Sequence, residues 1–117
     1  MQIEVKGRNC PVTDETRERI ERRFDKVARQ VSDLARLEVE LYEERNPANP
    51  ESQVAEVTLQ LKGVTLRAKE ATRDMDHSIN LCSEEIARQV KRHRVKRRKR
   101  RESRAAATPE GGIQPAL

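Results

Sequence analysis

Apolar side chains recur two apart in four segments of this chain and three or four apart in two others. The order of those six segments restricts the fold more than any other feature. Ile3 and Val5 alternate with polar residues in QIEVKGR (2–8), a short strand, and Pro11 then prevents ladder pairing in the stretch Asn9–Val12. Ile20, Phe24, Val27 and Val31 follow at spacings of four, three and four, which predicts one apolar stripe on a helix of about 14–31. Thr13 is a suitable N-cap, and Asp14 and Glu15 place acids in the first turn, where the helix dipole favours them. Leu37, Val39 and Leu41 alternate with Glu38, Glu40 and Tyr42 in a half-buried strand of about 36–45. Asn46–Ser52 carries two prolines and two asparagines and reads as a loop. Val57, Leu59 and Leu61, then Val64, Leu66 and Ala68, alternate on either side of Lys62-Gly63, a hairpin whose Gly tolerates positive φ. Met75, Ile79, Cys82, Ile86 and Val90 form the second stripe, on a helix that begins near Asp74.

The order β-α-β-β-β-α predicts an α+β fold. Two amphipathic helices pack on one face of a four-stranded sheet, and the other face, with Glu38, Glu40 and Tyr42, is left to solvent. The second stripe fades near Val90, yet nothing stops the helix before about Arg101, some 40 Å from its start at ~1.5 Å per residue. Residues 102–117 are small, polar and Gly/Pro-containing and read as a disordered tail. The expected division is therefore a domain at 1–101 and a tail at 102–117.

Charge supplies the functional signal. Residues 88–104 hold eleven Lys/Arg against one acid, Glu102, a net +10, whereas residues 1–87 hold 14 basic and 18 acidic residues, a net −4. Such an uneven field attracts polyanions and speeds encounter with them. A solvated helix face usually mixes both signs, so the run favours RNA contact over a bland surface or a nuclear-type address. On the first helix Arg22, Arg23, Lys26 and Arg29 are interleaved with Glu18, Glu21 and Asp25, so an ordinary ion-paired face and an RNA contact stand level there. Arg67 and Lys69 serve equally well as solubilisers of a sheet face. Phe24 and Tyr42 are too few aromatics for base-stacking platforms.

Little else suggests chemistry. His77 and Cys82 are five apart and do not share a helix face, and Cys82 belongs to the apolar stripe, as a packed thiol would. Asp74 and Asp76 start a helix, where acids complement the dipole, and no base or nucleophile converges on them. The reading is a non-enzyme without metal, cofactor or small-molecule substrate. Two cysteines, no apolar leader and no run long enough for a membrane span lead us to expect a soluble, cytoplasmic protein, monomeric away from its target.

Four stretches carry a resemblance: QIEVKGRN (2–9), VTDETRERIERRFDKV (12–27), VTLQLKGVTLRAKEATRDMDHSINL (57–81) and IARQVKRH (86–93). Together they resemble the ribosome hibernation promoting factor and ribosome-associated translation inhibitor family, over about residues 1–95. The resemblance implies binding to the small ribosomal subunit and its ribosomal RNA near the decoding centre. It implies occlusion of messenger and transfer RNA in stress or stationary phase, with no cofactor and no catalysis. Carried onto matching positions, it points to Arg22, Arg23 and Lys26 on the first helix and to Arg88, Lys91, Arg92 and Arg94 on the second. The charge run adds Lys96, Arg97 and Arg98 as RNA-binding residues. Asp76 stands where the family usually has Tyr, Asn80 where it has Asp, and Glu85 where Lys is common, which removes one RNA contact. Long members continue through a linker into a ribosome-pairing second domain. This sequence stops at Leu117 in linker-like residues, so pairing through that domain is not expected of it. A general RNA-binding or RNA-chaperone module is the alternative, and an interaction protein recruiting an acidic partner is a third.

Overall fold

Thr13 starts the first helix as its side chain predicts, its Oγ1 accepting the Thr16 N–H at 3.1 Å with Asp14 and Glu15 in the first turn. The computed structural model describes residues 1–45 and 48–113, with side chains through Ser103. Its elements are β1 (Gln2–Arg8), α1 (Asp14–Arg23), α2 (Asp25–Ala28), β2 (Arg36–Glu43), β3 (Gln53–Leu61), β4 (Val64–Thr72) and α3 (Met75–Ile113). The sheet order is β1-β2-β3-β4. β1 and β2 are parallel and need a crossover, which α1 and α2 supply; the other pairs are antiparallel.

The expected single helix of 14–31 is interrupted. Phe24, fully buried, takes φ −98°, ψ 6°, and the chain re-enters a four-residue α2 that ends at Ala28. Gln30 N–H bonds to Val27 O, an i−3 bond that tightens the exit, so Val31 lies beyond the helix and is only half-buried. α3 differs in the other direction: it continues to Ile113, past the expected end near Arg101, through an alanine run at 105–107 that favours helix. The helical part of the expected tail thus joins α3, while 114–117 lie outside the described residues.

Register aligns the strand patterns. Ile3 faces Leu37 and Val5 faces Val39 across the parallel pair, and Leu37, Val39 and Leu41 face Leu59, Val57 and Ala55 across the next. All share the face that Ile20, Phe24, Val27, Ile79, Cys82, Ile86 and Val90 cover, each at most 2% exposed. Gly7 lies on this face where the chain doubles back: a Cβ there would sit 2.0 Å from Cys10 O. Asn9 completes the reversal at φ 55°, a conformation Asn tolerates, and Gly63 turns the β3–β4 hairpin at φ 79°.

The opposite sheet face is polar but does not leave Tyr42 to solvent as expected. Tyr42 is 8% exposed: its hydroxyl donates to Glu56 Oε1 at 2.8 Å and the Arg8 guanidinium lies 4.2 Å from its ring centroid. Burial first, then that carboxylate, raise the phenol pKa above its ordinary value.

The start of α3 is pinned by Ser78, fully buried, whose Oγ donates to Gln53 O at 2.6 Å and lies 2.8 Å from Thr72 Oγ1. Cys82 Sγ–H points to Ala55 O at 3.3 Å, and burial pushes its thiol pKa up to about 12. Ile86 and Val90 still touch the core; His93 and Val95 are half-buried, and residues 96–103 are exposed. Among the described residues, no helix is long and apolar enough to cross a membrane.

Candidate nucleic-acid interface

A helix turns ~100° per residue, so the eleven-cation run cannot present one face. Lys91, Arg94, Arg98 and Arg101 succeed one another at three, four and three residues and form a ridge on the side toward α2. They line a cleft of about 480 Å³ with Arg97, Val95 and Gln30, the last from just beyond α2. Among the described residues no carboxylate lines that cleft. The ion pair involving these residues is the loose exposed contact of Arg98 with Glu102 at 3.9 Å. Ile86 and Val90 hold the root of this ridge against the core, so Lys91 and Arg94 are positioned by packing.

Arg88, Arg92 and Lys96, four apart, lie on the other side of α3; Arg92 and Lys96 share a shallow depression with Val64 and Leu66 of β4. Here one carboxylate dominates. Glu85 accepts from Arg88 Nε at 3.1 Å and Nη2 at 2.9 Å, from Gln89 Nε2 at 2.9 Å, and lies 3.6 Å from Arg92 Nη2. The Gln89 bond first, then Arg88, hold its carboxyl below the ordinary range. Glu85 thus engages two of the arginines expected to meet RNA.

The cations of α1 and α2 are divided too. Arg23 Nη1 donates to Asn80 Oδ1 at 3.1 Å, and Arg19 lies 3.3 Å from Asp76 and 2.8 Å from Glu15. Asp76 and Asn80 thus hold the seam between α1 and α3. An amide at 80 satisfies the Arg23 geometry without cancelling its charge. Arg22 sits among Glu18, Glu21 and Asp25, so its surroundings are net acidic. Lys26 is exposed and makes no ion pair among the described residues.

The structure thus brings Lys91, Arg94, Arg97 and Arg98 together, leaves Arg23 beside the same helix at the seam, and sets Arg88, Arg92 and Lys96 apart. It adds Gln30, and it joins Arg101 of the charge run to this group. Their 3–4–3 spacing marked Lys91 to Arg101 as one ridge; nothing marked Gln30. The outward sheet face is a poor match for a polyanion. It carries Glu4, Glu38, Glu40 and Glu56, and three of its cations pair with them: Arg8–Glu40 and Lys69–Glu56 at 3.4 Å, Lys6–Glu4 at 3.5 Å. No group of three His, Cys, Asp or Glu suited to a metal occurs among the described residues.

Residues 3–98 match the family described as Sigma 54 modulation protein / S30EA ribosomal protein. A ribosome hibernation promotion factor of Staphylococcus aureus is 32% identical over 100 residues, and one of Picosynechococcus is 29% identical over 97. Each alignment covers 82% of this chain and 50% of the relative, so the chain spans about half the length of the curated relatives it matches. Among solved structures, the N-terminal domain of Thermus thermophilus Protein Y superposes with a TM-score of 0.69 at 26% identity, covering 80% of this chain and 99% of that one. A ribosomal subunit interface protein from Coxiella burnetii shares the fold, with a TM-score of 0.67 at 16% identity over 81% of this chain and 99% of that one.

Proposed function

The chain belongs to the Sigma 54 modulation protein / S30EA ribosomal protein family, and on that premise we propose that it is a ribosome-associated translation inhibitor. In this reading it binds ribosomal RNA of the small subunit near the decoding centre and excludes messenger and transfer RNA. It acts in the cytoplasm under stress or in stationary phase, by occupancy and without cofactor or catalysis. Residues 1–101 form the binding domain, and 102–117 lie outside it.

The observation that carries the reading is the cationic ridge Lys91, Arg94, Arg98 and Arg101, lining a cleft without a carboxylate among the described residues, on a helix anchored by Ile86 and Val90. Cations three and four residues apart have Cβ atoms ~5–6 Å apart, suited to successive phosphates of one strand. Arg23 extends the basic surface across the α1–α3 seam, and Lys26 lies exposed on α2. The anchored part supplies preset geometry; the exposed part of α3 adds attraction and on-rate.

Sucrose-gradient sedimentation with purified small subunits, large subunits and a generic RNA duplex tests this. Co-sedimentation with small subunits, reduced by added message and initiator transfer RNA, is expected. Equal affinity for the generic duplex would instead favour an RNA chaperone without a fixed ribosomal site, and a complex insensitive to ribonuclease would favour an acidic protein partner.

A further inference from the structure

Beside the cationic ridge, a groove of about 560 Å³ opens between the turn that leads into β2, the β3–β4 hairpin and α3. That volume is in the range of small-ligand sites. Its apolar lining comes from Val31, Leu34, Ala35, Leu61 and Val90, its rim carries Arg36, Lys62, Arg94 and Arg97, and among the described residues no carboxylate lines it. We propose that this groove seats one unpaired nucleotide of RNA, with the base against the apolar lining and the flanking phosphates on the cationic rim. The inference rests on the RNA-binding reading and names a subsite within it.

Leu34 is the first argument. It is 89% exposed, the one large hydrophobic so exposed among the described residues. Its outward position is held by the turn itself: Ser32 Oγ accepts the Leu34 N–H at 3.1 Å and Ser32 O accepts the Ala35 N–H at 3.0 Å. A leucine fixed in water at the mouth of a groove is set to cover an apolar surface that arrives from outside.

Continuity of charge is the second. Arg94 and Arg97 line both this groove and the neighbouring cleft with Lys91, Arg98 and Arg101. A ligand in the groove therefore has its next charges on the ridge. An RNA strand, with one phosphate per residue and an apolar base face, meets both surfaces in one chain. An acidic peptide needs an apolar anchor placed beside a separate acidic run.

Shape selects an unpaired nucleotide. A base inside an A-form duplex cannot enter a concave site, whereas a splayed base can lie against guanidinium planes and bond through its edges. Arg94, Arg97 and the half-buried His93 offer planes, and Gln30, Ser32 and Gln60 offer edge partners. Stacking of this kind does not require the aromatic platforms that the sequence lacks.

The test uses the full chain and fluorescence anisotropy with four probes of equal charge: a single-stranded hexaribonucleotide, the same strand with one central base removed, a short duplex, and an acidic peptide. The expected result is a roughly tenfold loss on removing the base, a similar loss for Leu34→Ser, and no further loss when both changes are combined. Leu34 is exposed, so its replacement leaves the fold intact, with circular dichroism as the control. Equal affinity for the intact and base-less strands, or for the peptide and the RNA, overturns the proposal. An additive double change overturns it too. Sedimentation with small subunits separates the two readings. If subunit binding persists while base removal has no effect, the groove fails alone. If the base effect is present but subunits do not bind, the groove stands and the ribosomal site falls.

Discussion

Replacing Glu85 by Gln is expected to strengthen RNA binding. The Glu85 carboxylate engages Arg88 through two hydrogen bonds at 2.9 and 3.1 Å and reaches Arg92 at 3.6 Å. The Gln89 bond and then Arg88 hold its carboxyl below the ordinary range, so it is charged at neutral pH. A phosphate that takes either arginine must displace or share that carboxylate. Glutamine keeps the size and one acceptor oxygen and removes the charge. Exposed ion pairs contribute about 0.2–1 kcal/mol each, so releasing two arginines gains about 0.4–2 kcal/mol, roughly 2- to 30-fold in affinity. Two added phosphate contacts steepen the log–log salt dependence by roughly 1.4–1.8. The assay is binding of labelled small-subunit RNA by parent and E85Q at several salt concentrations, with thermal unfolding as the control. An unchanged affinity and slope would show that Arg88 and Arg92 do not meet phosphate, and the view of Glu85 as their competitor would be refuted.

For the parent, about six phosphate contacts predict a log–log salt slope of roughly −4 to −5, and a slope near zero in a salt titration rules out the basic surface as the binding site. Lys91, Arg94 and Arg98 replaced together by Ala should weaken RNA binding more than Arg88 and Arg92 replaced together, because Glu85 already engages the second pair; equilibrium titration of both variants decides, and the reverse order contradicts the two-sided helix. Gly7→Ala should destabilise by about 1–3 kcal/mol or more, seen as a lower urea midpoint, since its Cβ meets backbone at Cys10; an unchanged midpoint shows that this close approach is absent. The folded Cys82 thiol is raised from 9.0 to about 12, so the stability gained by keeping it neutral is complete below about pH 9 and is lost as pH rises toward 12. Urea melts across that window should show parent stability falling faster than that of Cys82→Ala, and parallel curves refute the assignment.

The fold was legible because burial follows local periodicity here. Ile20, Phe24 and Val27, like Ile79, Cys82, Ile86 and Val90, recur at helical spacing and are all buried, and alternation correctly put Leu37, Val39 and Leu41 inward. The break at Phe24 left no trace, since the stripe keeps its spacing through it. Tyr42 follows the outward phase of its strand, and partners distant in sequence, Arg8 and Glu56 among them, cover it. The candidate interface was half legible. Counting charges located it, and Glu85 with Arg88 at three residues was readable as a helical pair. Which side of α3 meets α2 depends on how the helix is rotated on the sheet, and one sequence does not encode that locally. The same holds for the Arg19–Asp76 and Arg23–Asn80 contacts and for the groove, whose walls come from three separate segments.

The claim that matters most is that occupancy by the α3 ridge and the place of transfer RNA on the small subunit are mutually exclusive. Initiator transfer RNA binding to message-programmed small subunits, titrated at rising concentrations of this protein, measures that directly. The apparent Kd for transfer RNA is expected to rise in proportion to protein concentration, with no plateau. The rise should disappear when Lys91, Arg94, Arg98 and Arg101 are replaced by Ala. Undiminished transfer RNA binding to subunits shown by sedimentation to be saturated with the protein would contradict that claim.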